Sequence, residues 1–178
     1  ARFYNCILAS DAWLKEHNAQ DLYMTSHDGL KLHAYWIPAQ NARGTVLLAH
    51  GYRSTFLVDF GIAFAFYHRL GMNILVPHQR SHGMSEGKYI TFGVKESEDM
   101  KNWIHYHNEK FGTCQMILSG LSMGAATVLM AAGEELPKNV IGVLSDCGYT
   151  SAKEIIKKVI KDLKLPALLY PFIKLGAK

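Results

Sequence analysis

A serine held between two glycines, in Gly120-Leu121-Ser122-Met123-Gly124, is the strongest chemical signal in this chain. The apolar run Gln115-Met116-Ile117-Leu118-Ser119 precedes it, and Ala125-Ala126-Thr127-Val128-Leu129-Met130-Ala131-Ala132 follows. That arrangement predicts a strand ending near Ser119, a tight turn, and a helix starting near Met123. A serine in such a turn sits in strained backbone, and the turn closes only if its neighbours are small. Ser122 is thereby presented as a nucleophile. The first N–H groups of the following helix, beginning with Met123, point toward whatever the serine attacks and can supply part of an oxyanion hole. The bare pattern arises by accident in roughly one chain in twenty of this length, so its surroundings decide.

A serine nucleophile needs a base. The chain has nine histidines, His17, His27, His33, His50, His68, His78, His82, His105 and His107, and all of them precede Ser122. Cys6, Cys114 and Cys147 have neither the spacing of a disulfide framework nor that of a metal site, and are expected as buried thiols. No metal and no organic cofactor are implied.

The elements that must position Ser122 follow from the apolar runs. Gly44-Thr45-Val46-Leu47-Leu48-Ala49-His50-Gly51-Tyr52 predicts a buried strand ending in His-Gly. Met72-Asn73-Ile74-Leu75-Val76-Pro77 predicts another, running into the loop His78-Gln79-Arg80-Ser81-His82-Gly83-Met84-Ser85-Glu86-Gly87. Val140-Ile141-Gly142-Val143-Leu144-Ser145-Asp146 predicts a strand after the serine turn. Helical stretches from Phe56 to Leu70, Val94 to Phe111 and Met123 to Ala132 separate them. Buried strands alternating with helices predict an α/β fold: a mostly parallel sheet with helices on both faces. Before them, Asp28-Gly29 between alternating segments marks a hairpin of Asp21–Thr25 with Leu30–Ile37, and residues 1–20 suggest a partly apolar helix outside the sheet.

Over residues 21–151 the chain resembles the α/β-hydrolase superfamily, in its serine-aminopeptidase-like or esterase-like branch. The resemblance rests on His50-Gly51-Tyr52, Arg80-Ser81-His82-Gly83-Met84-Ser85, the serine turn, and Asp146-Cys147-Gly148-Tyr149-Thr150-Ser151, in the family's order. It implies an acyl-enzyme mechanism on an ester, thioester or amide, with the backbone N–H groups of Tyr52 and Met123 as oxyanion donors. It also implies a triad order of serine, then acid, then histidine, and no histidine here occupies the base position.

The family adds a lid and further strand–helix units after Asp146. The expectation is therefore the N-terminal part of a hydrolase fold, one domain over 1–178, incomplete at its C-terminal end, with 151–178 as the start of a lid-like segment. His50 is expected to shape the oxyanion loop, with a general-base role as the alternative. Arg80 and His82 either tie their loop or reach the site. His78 stands where relatives often carry Asp. The resemblance is stronger to the branch whose acid comes one strand later, with Asp146 as the alternative acid of a variant triad. His105 and His107 are expected at the surface or in packing. A non-catalytic hydrolase-like binding module is the alternative to an enzyme.

Composition fits an ordinary globular domain: 49% apolar and 19% charged residues, with a net charge of +4. Its one local cationic concentration is Lys153, Lys157, Lys158, Lys161 and Lys164, opposite Ile155, Ile156, Val159, Ile160 and Leu163. That pattern predicts the solvated face of an amphipathic helix, with an acidic or membrane surface as the alternative partner. No nucleic-acid motif is present. The partners expected are a small-molecule or peptide acyl substrate, and self-association or docking of a missing C-terminal segment. The absence of a signal or spanning pattern favours the cytoplasm, with a trimmed N-terminal anchor or signal as the alternative, since the chain opens on Ala1.

Overall fold

In the computed structural model, which describes residues 2–162, eleven elements alternate along the chain. They are α1 (Arg2–Glu16), β1 (Gln20–Thr25), β2 (Lys31–Ile37), β3 (Gly44–Ala49), α2 (Phe56–Arg69), β4 (Met72–Pro77), α3 (Val94–Phe111), β5 (Met116–Leu121), α4 (Met123–Ala132), β6 (Val140–Asp146) and α5 (Ala152–Asp162). One sheet contains all six strands in the order β1-β2-β4-β3-β5-β6. Strand β2 is antiparallel to both β1 and β4, and the remaining pairs are parallel. The hairpin turns as its sequence requires: Gly29 takes φ 86°, and the Ser26 hydroxyl donates to Asp28 at 2.7 Å while accepting from the Leu30 N–H at 2.9 Å.

Strand β3 is buried along its whole length, and its alternate residues face opposite cores. Leu47 and Ala49 join Leu75, Leu118, Trp103, Ile104 and Val128 under α3 and α4. Val46 and Leu48 join Ile74, Val76, Phe60 and Phe64 under α2, with Leu14 of α1. Both faces of the sheet are thus covered, as its continuous apolar strands require.

One boundary differs from the sequence expectation. Strand β5 runs past Ser119 to Leu121, because Gly120 pairs with Ser145 and Leu121 with Asp146. Helix α5 (Ala152–Asp162) lies in the segment expected as the start of a lid over 151–178, and residues 163–178 of that segment lie outside the described residues. Among the described residues, no helix is long and apolar enough to cross a membrane.

Candidate active site

Ser122 is the single residue between β5 and α4 and has φ 55° and ψ −112°. An L-residue reaches that region at a cost of about 1–3 kcal/mol, so the surrounding structure must impose it. The Ser122 N–H donates to the Asp146 carbonyl at 2.8 Å, and the Ser122 carbonyl accepts from the Ala126 N–H at 3.1 Å, anchoring the turn to β6 and α4. A Cβ on Gly124 would overlap the Ala49 carbonyl, and one on Gly120 would overlap the Gly124 carbonyl. Only glycine lets β3, β5 and α4 converge this closely. Ser122 itself is exposed, at the C-terminal end of the parallel strands, where open α/β sheets bind ligands.

The end of β3 lies against this turn. A Cβ on Gly51 would stand 3.6 Å from the Ser122 Cβ, in ordinary contact. Asp59, in the first turn of α2, fixes the loop that follows by accepting from the Gly51 N–H and the Ser54 hydroxyl, both at 2.6 Å. Tyr52 is half-exposed between these ties, and its N–H meets no partner among the described residues. Met123 opens α4, so its N–H precedes the first intrahelical bond. Of the two expected oxyanion donors, Tyr52 thus lies in the loop after β3 and Met123 at the first position of α4.

The histidines closest to this loop are tied into it. His50 is fully buried; its Nδ1 donates to the Gly51 carbonyl at 2.9 Å and its Nε2 accepts from the Gln79 N–H at 3.1 Å. The Gln79 amide returns a bond to the His50 carbonyl. Burial pushes the His50 pKa down to about 4, against the smaller opposing effect of the Gly51 bond. His82 donates from Nδ1 to the Arg80 carbonyl at 2.9 Å and accepts at Nε2 from the Arg53 N–H at 3.1 Å. Each ring is committed at both nitrogens to the backbone that shapes the loops.

Arg80 is buried and chelated, reaching Asp99 at 2.6 and 2.7 Å and Asp28 at 2.9 and 3.1 Å. It binds the loop after β4 to the hairpin turn and α3, so it is a structural clamp. Burial opposes its charge, and the two carboxylates outweigh burial to raise its pKa. His78 stacks on His33, with their Nδ1 atoms 2.8 Å apart, and His33 Nε2 meets Asp21 at 2.8 Å. Burial, then the neighbouring His33, lowers His78 to about 4. His107 is buried against the Thr45 hydroxyl at 3.0 Å, whereas His105 is exposed. The Asp146 side chain is exposed and accepts from the Cys147 thiol at 3.2 Å, so Cys147 is an exposed thiol where a buried one was expected. Cys114 is half-buried against the Thr45 hydroxyl.

Two organising residues escaped the sequence reading. Asp59 carried a usable signal: an acid in the first turn of a helix just after a strand ending in His-Gly. Glu96, buried at the start of α3, accepts from the Thr91 and Gly93 N–H groups at 2.9 Å each and from the Thr91 hydroxyl at 2.6 Å. It thereby sets Phe92, which stacks on Tyr52 with ring centroids 5.2 Å apart. The local signal for Glu96 is its place three residues after the N-cap Gly93, where its carboxylate reaches back to the Gly93 N–H.

No family model matches the chain. It is 26% identical over 141 residues to the uncharacterized protein YqkD of Bacillus subtilis, covering 78% of this chain and 46% of YqkD. It is 27% identical over 154 residues to the uncharacterized membrane protein YNL320W of Saccharomyces cerevisiae, covering 84% of this chain and 52% of that protein. The chain thus spans about half the length of the curated relatives it matches. Among solved structures, the Pyrococcus furiosus esterase Pf2001 superposes with a TM-score of 0.75 at 27% identity, over 92% of this chain and 66% of the esterase. XC6422 of Xanthomonas campestris, an α/β serine hydrolase without a lid, superposes with a TM-score of 0.58 at 20% identity, over 65% of this chain and 56% of that one.

Proposed function

We propose, for a chain whose fold places it in the α/β-hydrolase superfamily, that Ser122 is the nucleophile of a serine hydrolase acting on an ester, thioester or amide. The observation that carries this reading is the backbone of Ser122: φ 55°, an exposed hydroxyl, and glycines packed so tightly on either side that no other residue fits. Strain of that kind persists where presentation of a side chain is selected.

In this mechanism Ser122 Oγ forms a bond to the substrate carbonyl carbon while a base removes the hydroxyl proton. Charge moves to the carbonyl oxygen, where the N–H groups of Tyr52 and Met123 stabilise it. The tetrahedral intermediate collapses by breaking the bond to the leaving group, which takes the proton from the base. Water then cleaves the acyl-enzyme by the same steps in reverse. Neither His50 nor His82 has a ring nitrogen to spare, and no histidine of this sequence follows Ser122, so the base is left unassigned.

The same absence favours a second reading, a hydrolase-like binding module without a triad. Intact-mass measurement after a fluorophosphonate probe separates the two. A single adduct that disappears in Ser122→Ala supports the enzyme, and no adduct on the wild-type protein supports the module.

A further inference from the structure

Beside the serine turn lies a pocket of ≈ 430 Å³ whose lining includes Tyr52, Arg53, Ser81, His82, Lys88 and Phe92. It shares Tyr52 with the proposed oxyanion loop, and Tyr52 directly follows Gly51, the residue in contact with the Ser122 side chain. Its charge is one-sided. Arg53 and Lys88 are exposed and pair with no carboxylate among the described residues, and no acidic side chain lines the pocket. The nearby acids are already engaged: Glu86 by the Lys31 N–H at 2.8 Å, Asp28 by Arg80 and Lys95, Asp99 by Arg80, and Asp59 by the Gly51 N–H and Ser54.

The walls hold their shape. Arg53 has φ 51°, and its N–H is held by His82 Nε2 at 3.1 Å. Ser81 has φ 64° and donates to the Tyr89 carbonyl at 2.8 Å, and a Cβ on Gly87 would stand 2.8 Å from the Ser81 nitrogen. Tyr52 and Phe92, stacked on one another, form the apolar side. Two cations and a stacked aromatic pair in fixed backbone, with the Arg53 guanidinium 5.3 Å from the Tyr52 ring centroid, suit a short hydrocarbon arm ending in an oxyanion.

We propose that this pocket takes a carboxylate-terminated arm of the acyl substrate, with Arg53 and Lys88 as its charge-reading residues; the substrate-class part of this inference rests on the Ser122 reading above. The protein then prefers an anionic ester to its neutral analogue of equal length, and the preference weakens as salt screens the two cations.

The test compares mono-4-nitrophenyl adipate with 4-nitrophenyl hexanoate on the full chain. Expected is a higher kcat/KM for the adipate at low ionic strength, and a fall of about tenfold in the adipate-to-hexanoate ratio in Arg53→Gln/Lys88→Gln, carried mainly by KM. Lys110→Gln, a cation removed elsewhere, should leave the ratio unchanged. A preference for hexanoate, or a ratio indifferent to the double substitution, overturns the proposal. Calorimetric titration of adipate into Ser122→Ala, with and without the double substitution, reads the pocket without turnover. Binding lost with the two cations supports the pocket even if no ester is cleaved and Ser122 is no nucleophile. No binding, or binding that survives the double substitution, overturns it.

Discussion

Gly124 of α4 lies directly against the Ala49 carbonyl at the end of β3, with no room for a Cβ between them. The same helix start carries Ser122, so this contact sets how far the serine turn rises above the sheet. Gly124→Ala must push α4 away from β3, and overpacking against backbone rather than a yielding side chain should cost at least about 2 kcal/mol. Gly142→Ala, in β6, has nothing within 4 Å of the new methyl and should shift stability far less. Urea unfolding of the two variants checks the contrast, and equal midpoints would mean that the serine turn is not built on this approach.

The loop after β3 gives a catalytic prediction. Asp59 accepts from the Gly51 N–H and the Ser54 hydroxyl, and between these ties stands the Tyr52 N–H assigned to the oxyanion. Asp59→Ala should lower kcat for an activated ester by tenfold or more with little change in KM, because misplaced donors lose transition-state stabilisation more than ground-state binding. Unchanged kcat in a folded variant would remove Tyr52 from the mechanism.

Why Asp59 was found only in the structure, while the strands it serves were foreseen, has a physical explanation. Strands β3, β4 and β6 are short apolar runs bounded by turn residues, and helix α3 carries Met100, Trp103, Ile104 and His107 on one face, so local patterning defines them. Ser122 was legible because strain, glycines and helix start are encoded within five residues. Asp59 and Glu96 reach partners only three to eight positions away, but their roles depend on which loop the fold sets beside Ser122, and the Arg80 clamp acts across a separation that no local pattern records: Arg80 meets Asp28 from 52 positions away. The same holds for His50 and His82. Their ring nitrogens are claimed by N–H and C=O groups brought close only by the folded sheet.

Acid should unfold the protein in a defined window. His50 and His78 both sit near a pKa of about 4 in the folded state, lowered first by burial, against about 6.5 when unfolded. The unfolded chain therefore binds protons first as pH falls. Their contribution is complete above about pH 6.5 and is lost as pH drops toward 4, by up to about 3 kcal/mol for each histidine. Urea midpoints at half-unit steps from pH 7.5 to 4.5 should hold level to about pH 6.5 and then fall continuously, and His78→Gln should flatten the slope whatever it does to stability at neutral pH. A midpoint independent of pH across that range would refute the buried neutral histidines.

The chain of residues 1–178 alone should be a poor esterase. Removing the base from a serine triad costs orders of magnitude in rate, while oxyanion donors and binding leave a residue of catalysis. With His50 and His82 committed to backbone partners, steady-state assay of a 4-nitrophenyl ester should give turnover far below that of the Pyrococcus furiosus esterase Pf2001. Comparable turnover would show that an upstream histidine serves as base. His50→Gln and His82→Gln would then identify which one.

The last prediction concerns strand β6, which pairs with β5 on one side and with no strand among the described residues on the other. Its side chains are poorly covered: Ile141 is 55% and Leu144 52% exposed. They border an apolar groove of ≈ 390 Å³ whose other walls include Phe66, Leu70, Met72 and Ile117. An open strand edge offers a row of unpaired N–H and C=O groups, and apolar side chains beside it add a favourable burial term to any strand that docks there. The 178-residue chain should therefore self-associate through β6, giving a dimer or larger species by light scattering at micromolar concentration. Replacing Ile141 and Leu144 with lysine places like charges on both copies of the edge and should return the chain to monomer without unfolding it, since both positions are already half in solvent. A wild-type chain that is monomeric throughout that range would mean that the edge is covered by the chain's own residues.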